Sequence, residues 1–149
     1  MKILFVWHGN ICRSPMAEFV LKNMINETPG LNPGDFLIES AATSREEIGN
    51  DIYPPAKNCM MMHGIPFESR QARQMTRADY DRFDHIIVMD ERNIANIKRI
   101  IGDDDQNKIT KLLSWAGIDR DVADPWYTGD FESTYRDVTC GCEAILTSI

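Results

Sequence analysis

A chain of 149 residues, 43% hydrophobic and 26% charged, is long enough to bury a core and reads as one domain over 1–149 with no low-complexity run. Its net charge of −7 lacks the basic footprint of a nucleic-acid binder, yet leaves room for an anion held by local N–H groups and one arginine. No apolar run reaches the length of a membrane span or of a signal peptide, so a cytoplasmic protein without membrane or nucleic-acid partners is expected.

In chain order, residues 3–7 (ILFVW) are continuously apolar, the pattern of a strand buried on both faces. The loop HGNIC follows, then a helix start with Ser14 as cap and Pro15 in the first turn. Ala17, Val20, Leu21, Met24 and Ile25 recur at helical spacing, and the turn-rich TPGLNPGD ends the helix. Residues 36–42 read as a second strand, 44–50 as a polar loop, and 55–63 as a helix stopped by Gly64. Thr76 caps a short helix over 76–80, residues 85–89 form a third strand, and 91–101 a helix stopped by Gly102. Residues 108–113 are a fourth, weaker strand and 121–130 a loop. Phe131, Tyr135, Val138, Cys142, Ile145, Leu146 and Ile149 form the stripe of a last helix. This alternation predicts an α/β fold: a single doubly wound domain, a four-stranded parallel sheet with helices on both faces, and a ligand at the carboxyl ends of the strands.

The loop after the first strand sits where that rule puts a site. A tight turn into a helix gathers backbone N–H groups and the positive end of the helix, which suits phosphate. Gly9 permits unusual backbone angles, Asn10 tolerates a left-handed conformation, and Arg13 offers a fork matched to two phosphate oxygens. His8, Gly9, Asn10, Ile11, Cys12, Arg13 and Ser14 are the predicted phosphate-binding set. The four cysteines, Cys12, Cys59, Cys140 and Cys142, show no CxxC or Cys/His ligand spacing. Free thiols, no metal and no cofactor are expected.

FVWHGNICRSP (5–15), ESAATS (39–44), HGIP (63–66), ARQ (72–74), FDHIIVMDERN (83–93) and ADPWYTGDFE (123–132) together resemble the low-molecular-weight protein tyrosine phosphatases, in that family's order and across essentially the whole chain. The family's loop motif is Cys-x5-Arg-Ser. The resemblance implies attack of a thiolate on phosphorus, equatorial oxygens held by the loop and Arg13, and Asp124 as general acid and then base. It implies a phosphotyrosine protein or a small aryl phosphate as substrate, and no metal. Trp126 and Tyr127 would wall the aromatic ring, as would Glu46 and Glu47, whose charge disfavours acidic flanking residues. Ser40 would support the loop through Asn10, Asp90 would act from behind the site, and Ser14 would lower the thiol pKa. Arg70 stands near where some relatives place a loop-bracing histidine. Each of these residues also has a plainer reading as a turn, cap or packing residue.

This sequence departs from the motif at its first position, where Trp7 replaces the nucleophile. An indole is no nucleophile toward phosphorus and carries only an N–H donor. Either the ring fills the cradle, or it extends the apolar strand; inorganic phosphate or sulfate enters the loop only if the ring leaves room. Cys12 has no disulfide partner in the loop and precedes Arg13 rather than lying beneath the phosphate. One third-base change converts a cysteine codon to tryptophan, and Asn10, Arg13, Ser14 and Asp124 are all in place. The chain therefore reads as an equipped phosphatase altered at one position, inactive as it stands. The competing reading is a dedicated pseudophosphatase that binds phosphate or a partner protein. Arsenate reduction needs a relay of two nearby cysteines, and no such pair lies between Cys59 and Cys140.

Overall fold

The computed structural model describes all residues, 1–149. Four parallel strands, β1 (Lys2–Trp7), β2 (Leu37–Ala42), β3 (His85–Val88) and β4 (Ile109–Lys111), form one sheet in the order β2-β1-β3-β4. Around it lie α1 (Arg13–Glu27), α2 (Pro54–Met62), α3 (Arg77–Arg82), α4 (Glu91–Ile101), α5 (Pro125–Thr128) and α6 (Phe131–Ser148). This is the doubly wound α/β arrangement expected from the alternation of strands and helices. No helix is long and apolar enough to cross a membrane.

β1 is central, and its side chains alternate between two cores as a strand's period of two demands. Ile3, Phe5 and Trp7 join the core made with α1, α2 and α6, while Leu4 and Val6 join Ile86, Val88 and Ile97 on the other face. α1 and α6 pack side by side. Gly141 marks a close approach within α6, where a Cβ would lie 2.4 Å from Leu112 Cγ. That contact explains a glycine in a helix interior that otherwise favours alanine.

Three expectations are corrected. α1 begins at Arg13 with Cys12 as cap, two residues before the expected start, so Ser14 is inside the helix and caps nothing. Pro15 still falls in the first turn, where its missing N–H costs no bond. The fourth strand is only 109–111, after which the chain turns into a 3-10 helix over Leu112–Ala116. The loop over 121–130 contains α5, started by Asp124, whose side chain accepts Trp126 N–H at 3.0 Å, with Pro125 next, and closed by left-handed Gly129. That Asp-Pro start and Gly stop were written in the sequence.

Candidate functional site

Strand order reverses between β1 and β3, so their carboxyl ends open a crevice. The loop 8–12 leaves β1 there, and Asp90, capping α4, lies just beyond β3. The left-handed residue of the loop is Asn10, at φ 57°. Gly9 is not left-handed, and a Cβ there would meet only ordinary contact, 3.4 Å from Glu47 Cγ. The Asn10 amide donates to Ser14 Oγ at 2.9 Å, and Arg70 donates to the Asn10 carbonyl, bracing the turn from inside and outside.

Arg13 is 1% exposed, and both terminal nitrogens of its guanidinium are engaged by the protein. Nη1 donates to the Val122 carbonyl at 2.9 Å, and Nη2 donates to Asp90 Oδ2 at 2.9 Å and to Asp124 Oδ2 at 3.4 Å. Nε is buried without an acceptor. The Arg13 Cζ lies over the Trp7 ring, 4.4 Å from its centroid, a cation–π contact. Trp7 is itself buried, 9% exposed. The ring therefore continues the strand's apolar face and lies against the arginine.

Asp124 divides its carboxylate between Trp126 N–H and Arg13. Asp90 likewise holds Asn93 with one oxygen and Arg13 with the other. The two aspartates thus meet on one guanidinium, although the sequence separates them from it by 77 and 111 residues. Cys12 is wholly buried, and burial first, then the charge of Asp124, pushes its thiol up to about 12. It stays protonated at neutral pH and is a poor nucleophile.

A cavity of about 220 Å³ is lined by Trp7, His8, Gly9, Ile11, Glu46, Glu47, Asp124, Trp126 and Tyr127. The predicted wall residues are thus gathered at one opening. Trp126 and Tyr127 are 54% and 81% exposed, unusual for large aromatics. His8 Nε2 and Glu46 Oε2 are 3.0 Å apart at the rim. A second, wider cleft of about 780 Å³ runs past Asp90, Arg92, Asn93 and Asn96, and Trp7, His8, Asp124 and Tyr127 border both openings.

Ser40 is not where the resemblance put it. Its hydroxyl donates to Glu18 Oε1 at 2.6 Å, and Asn10 turns to Ser14 instead. Glu18 outcompetes the amide because a carboxylate is the stronger acceptor, and Lys22 holds its other oxygen at 2.5 Å. Sequence reasoning missed Tyr53, which donates its N–H to the Ile11 carbonyl and packs its ring 5.3 Å from that of Trp126. It also missed the Val122 carbonyl, for which no residue type is a signal. An aromatic beside the paired prolines of YPP was a readable hint for Tyr53.

A sequence model described as low molecular weight phosphotyrosine protein phosphatase matches residues 2–149. The chain is 37% identical to the low molecular weight protein-tyrosine-phosphatase YfkJ of Bacillus subtilis, covering 100% of this chain and 96% of that protein. It is 38% identical to the human low molecular weight phosphotyrosine protein phosphatase, over 97% of this chain and 92% of the other. The crystal structure of YfkJ superposes with a TM-score of 0.93 at 38% identity, over 100% of this chain and 94% of that one. Vibrio vulnificus Wzb in complex with benzylphosphonate superposes with a TM-score of 0.85 at 25% identity, over 99% of this chain and 98% of that one.

Proposed function

Because the chain belongs to the low molecular weight phosphotyrosine protein phosphatase family, we propose that it is a phosphotyrosine phosphatase scaffold whose turnover is blocked at Trp7, the position of the attacking thiolate in the family motif. The phosphatase reaction forms a sulfur–phosphorus bond as the phenolic oxygen leaves with a proton; water then breaks that bond and regenerates the thiolate. In this scaffold Arg13 and the loop 8–14 hold the phosphoryl oxygens, Asp124 supplies and recovers the proton, and Trp126, Tyr127 and Tyr53 grip the ring. Asp90 keeps Arg13 oriented. Without a sulfur at residue 7 the first bond cannot form.

One observation carries this reading: the Trp7 indole lies against a guanidinium already occupied by Val122, Asp90 and Asp124. The chain's own groups take the place of a phosphate. The neighbour's benzylphosphonate combines the two halves of such a ligand, an aromatic ring and a phosphonate. Here a cavity of about 220 Å³ is open between the aromatic wall and the loop, while the Arg13 guanidinium is held by Val122, Asp90 and Asp124. That open aromatic cavity is what favours the second reading, a pseudophosphatase that binds phosphate or a partner protein, here through an aromatic side chain of the partner.

The test is inorganic phosphate binding read by thermal melting. Trp7→Ser opens the cradle without adding a thiolate. Phosphate at a hundredfold over its dissociation constant stabilises the folded variant by about 2.7 kcal/mol, whereas the unaltered chain is expected to show no shift at the same concentration. An equal shift in both contradicts a cradle closed by Trp7.

A further inference from the structure

Away from the loop, the carboxyl end of α2 meets the start of α6. Cys59 and His63 are four residues apart, which stacks them on one face of a helix. α6 brings Glu132 against both. Cys59 Sγ is 3.7 Å from Glu132 Oε1, and His63 Nε2 is 2.8 Å from Oε2. The ligand atoms of all three residues lie within 4.8 Å of one another. We infer that Cys59, His63 and Glu132 form an accessory site for a thiophilic divalent cation of the zinc class, joining α2 to α6 and leaving a fourth position to water.

The donor set fits that ion. Thiolate, imidazole and carboxylate are the three side-chain ligands zinc prefers, and three protein ligands with one open position are a common arrangement. Tetrahedral zinc, with bonds of about 2.0–2.3 Å, spaces neighbouring ligand atoms by roughly 3.4–3.6 Å. The sulfur–carboxylate separation is already near that value, and the imidazole and carboxylate need only part by a fraction of an ångström.

The surroundings hold the set in place. The Tyr135 ring, one turn beyond Glu132, stacks on His63 with centroids 3.8 Å apart and planes 11° apart, fixing the imidazole. The cluster lies at the carboxyl end of α2, whose last carbonyls favour a cation. His63 and Glu132 are at the surface and Cys59 is buried beneath them, so an ion can enter from solvent. On binding, the thiol gives its proton to solvent as the metal–sulfur bond forms. Cys59-x3-His63 was passed over in the sequence because its third ligand comes from 69 residues further on.

Cobalt(II) titration of the full chain tests the site directly. The unaltered chain should develop a thiolate-to-cobalt charge-transfer band saturating at one equivalent, and zinc should abolish it. Cys59→Ser should remove the band, while Cys140→Ser, which alters the half-exposed thiol outside the cluster, should keep it. His63→Ala, at an exposed position, should weaken cobalt by about tenfold or more, since loss of even an outer-shell partner costs about that much. No band in the unaltered chain overturns the site. So does a band that persists in Cys59→Ser or an affinity unchanged by His63→Ala. If Cys59→Ser fails to fold, His63→Ala decides alone.

Discussion

Trp7→Cys is expected to hydrolyse p-nitrophenyl phosphate with a turnover on the order of 1–10 per second, within the ordinary enzyme range, where the proposed block at residue 7 leaves the unaltered chain with none. The expectation rests on what the substitution removes as well as what it adds. The register of β1 is set by ladders to β2 and β3 on both sides, so residue 7 keeps its place at the mouth of the loop. Taking away the indole uncovers the Arg13 guanidinium. A small thiol at residue 7 then lies beside that cation and near the start of α1, two influences that favour a thiolate. Cys12 also caps α1 and feels the Arg13 charge, but its burial and the Asp124 charge outweigh both. An incoming phosphoryl group competes with Asp124 for Arg13, and the 3.4 Å contact is the looser of the two carboxylate contacts. Its release frees Asp124 to serve as the acid. Asp124→Asn in the Trp7→Cys background should therefore lower turnover by about 10²–10⁴-fold, the usual worth of general acid catalysis. The single and double variants, assayed together, check both halves.

Arg13→Ala should have the largest effect of any single loop substitution. In the Trp7→Cys background it is expected to cut turnover by about 10³-fold or more, since a cation on the transferring phosphoryl group is worth that much. In the unaltered chain the same substitution should cost stability. Asp90 and Asp124 would lose their common cation while keeping about a fifth of their side-chain surface exposed. Removing one member of a buried ion pair costs about 3–5 kcal/mol, and that partial exposure places this case at about 3 kcal/mol. Loss of the unpartnered Nε offsets a little of it. Denaturant unfolding measures the stability effect, and initial rates measure the catalytic one. A variant as stable as the parent would mean that the Arg13 contacts do not hold the crevice together.

The local signals were legible. Helix 91–101 ran as its apolar spacing and Gly102 required, and β1 and the loop were marked by a two-sided apolar run followed by HGNIC. Chemistry that depends on distance in space was not. Nothing in the sequence showed that Ser40 would find Glu18, on a helix 22 residues earlier, instead of Asn10. Arg70 could be suspected near the loop, but its hold on the Asn10 carbonyl is a tertiary contact. The rotamer of Trp7 was undecided between filling the cradle and extending the strand, and only packing placed the ring in the core and against Arg13. The missed helix α5 is a different case: its cap and stop residues were present, and only its brevity hid it among turn residues.

The most direct measurement is incubation of the unaltered chain with p-nitrophenyl phosphate, following phenolate release and, after acid quench, the intact mass of the protein. A chain blocked at residue 7 releases no phenolate above buffer and gains no phosphoryl mass. Phenolate release together with a phosphoryl adduct on Cys12 would contradict the account, because a buried, protonated thiol would then be doing the work assigned to residue 7.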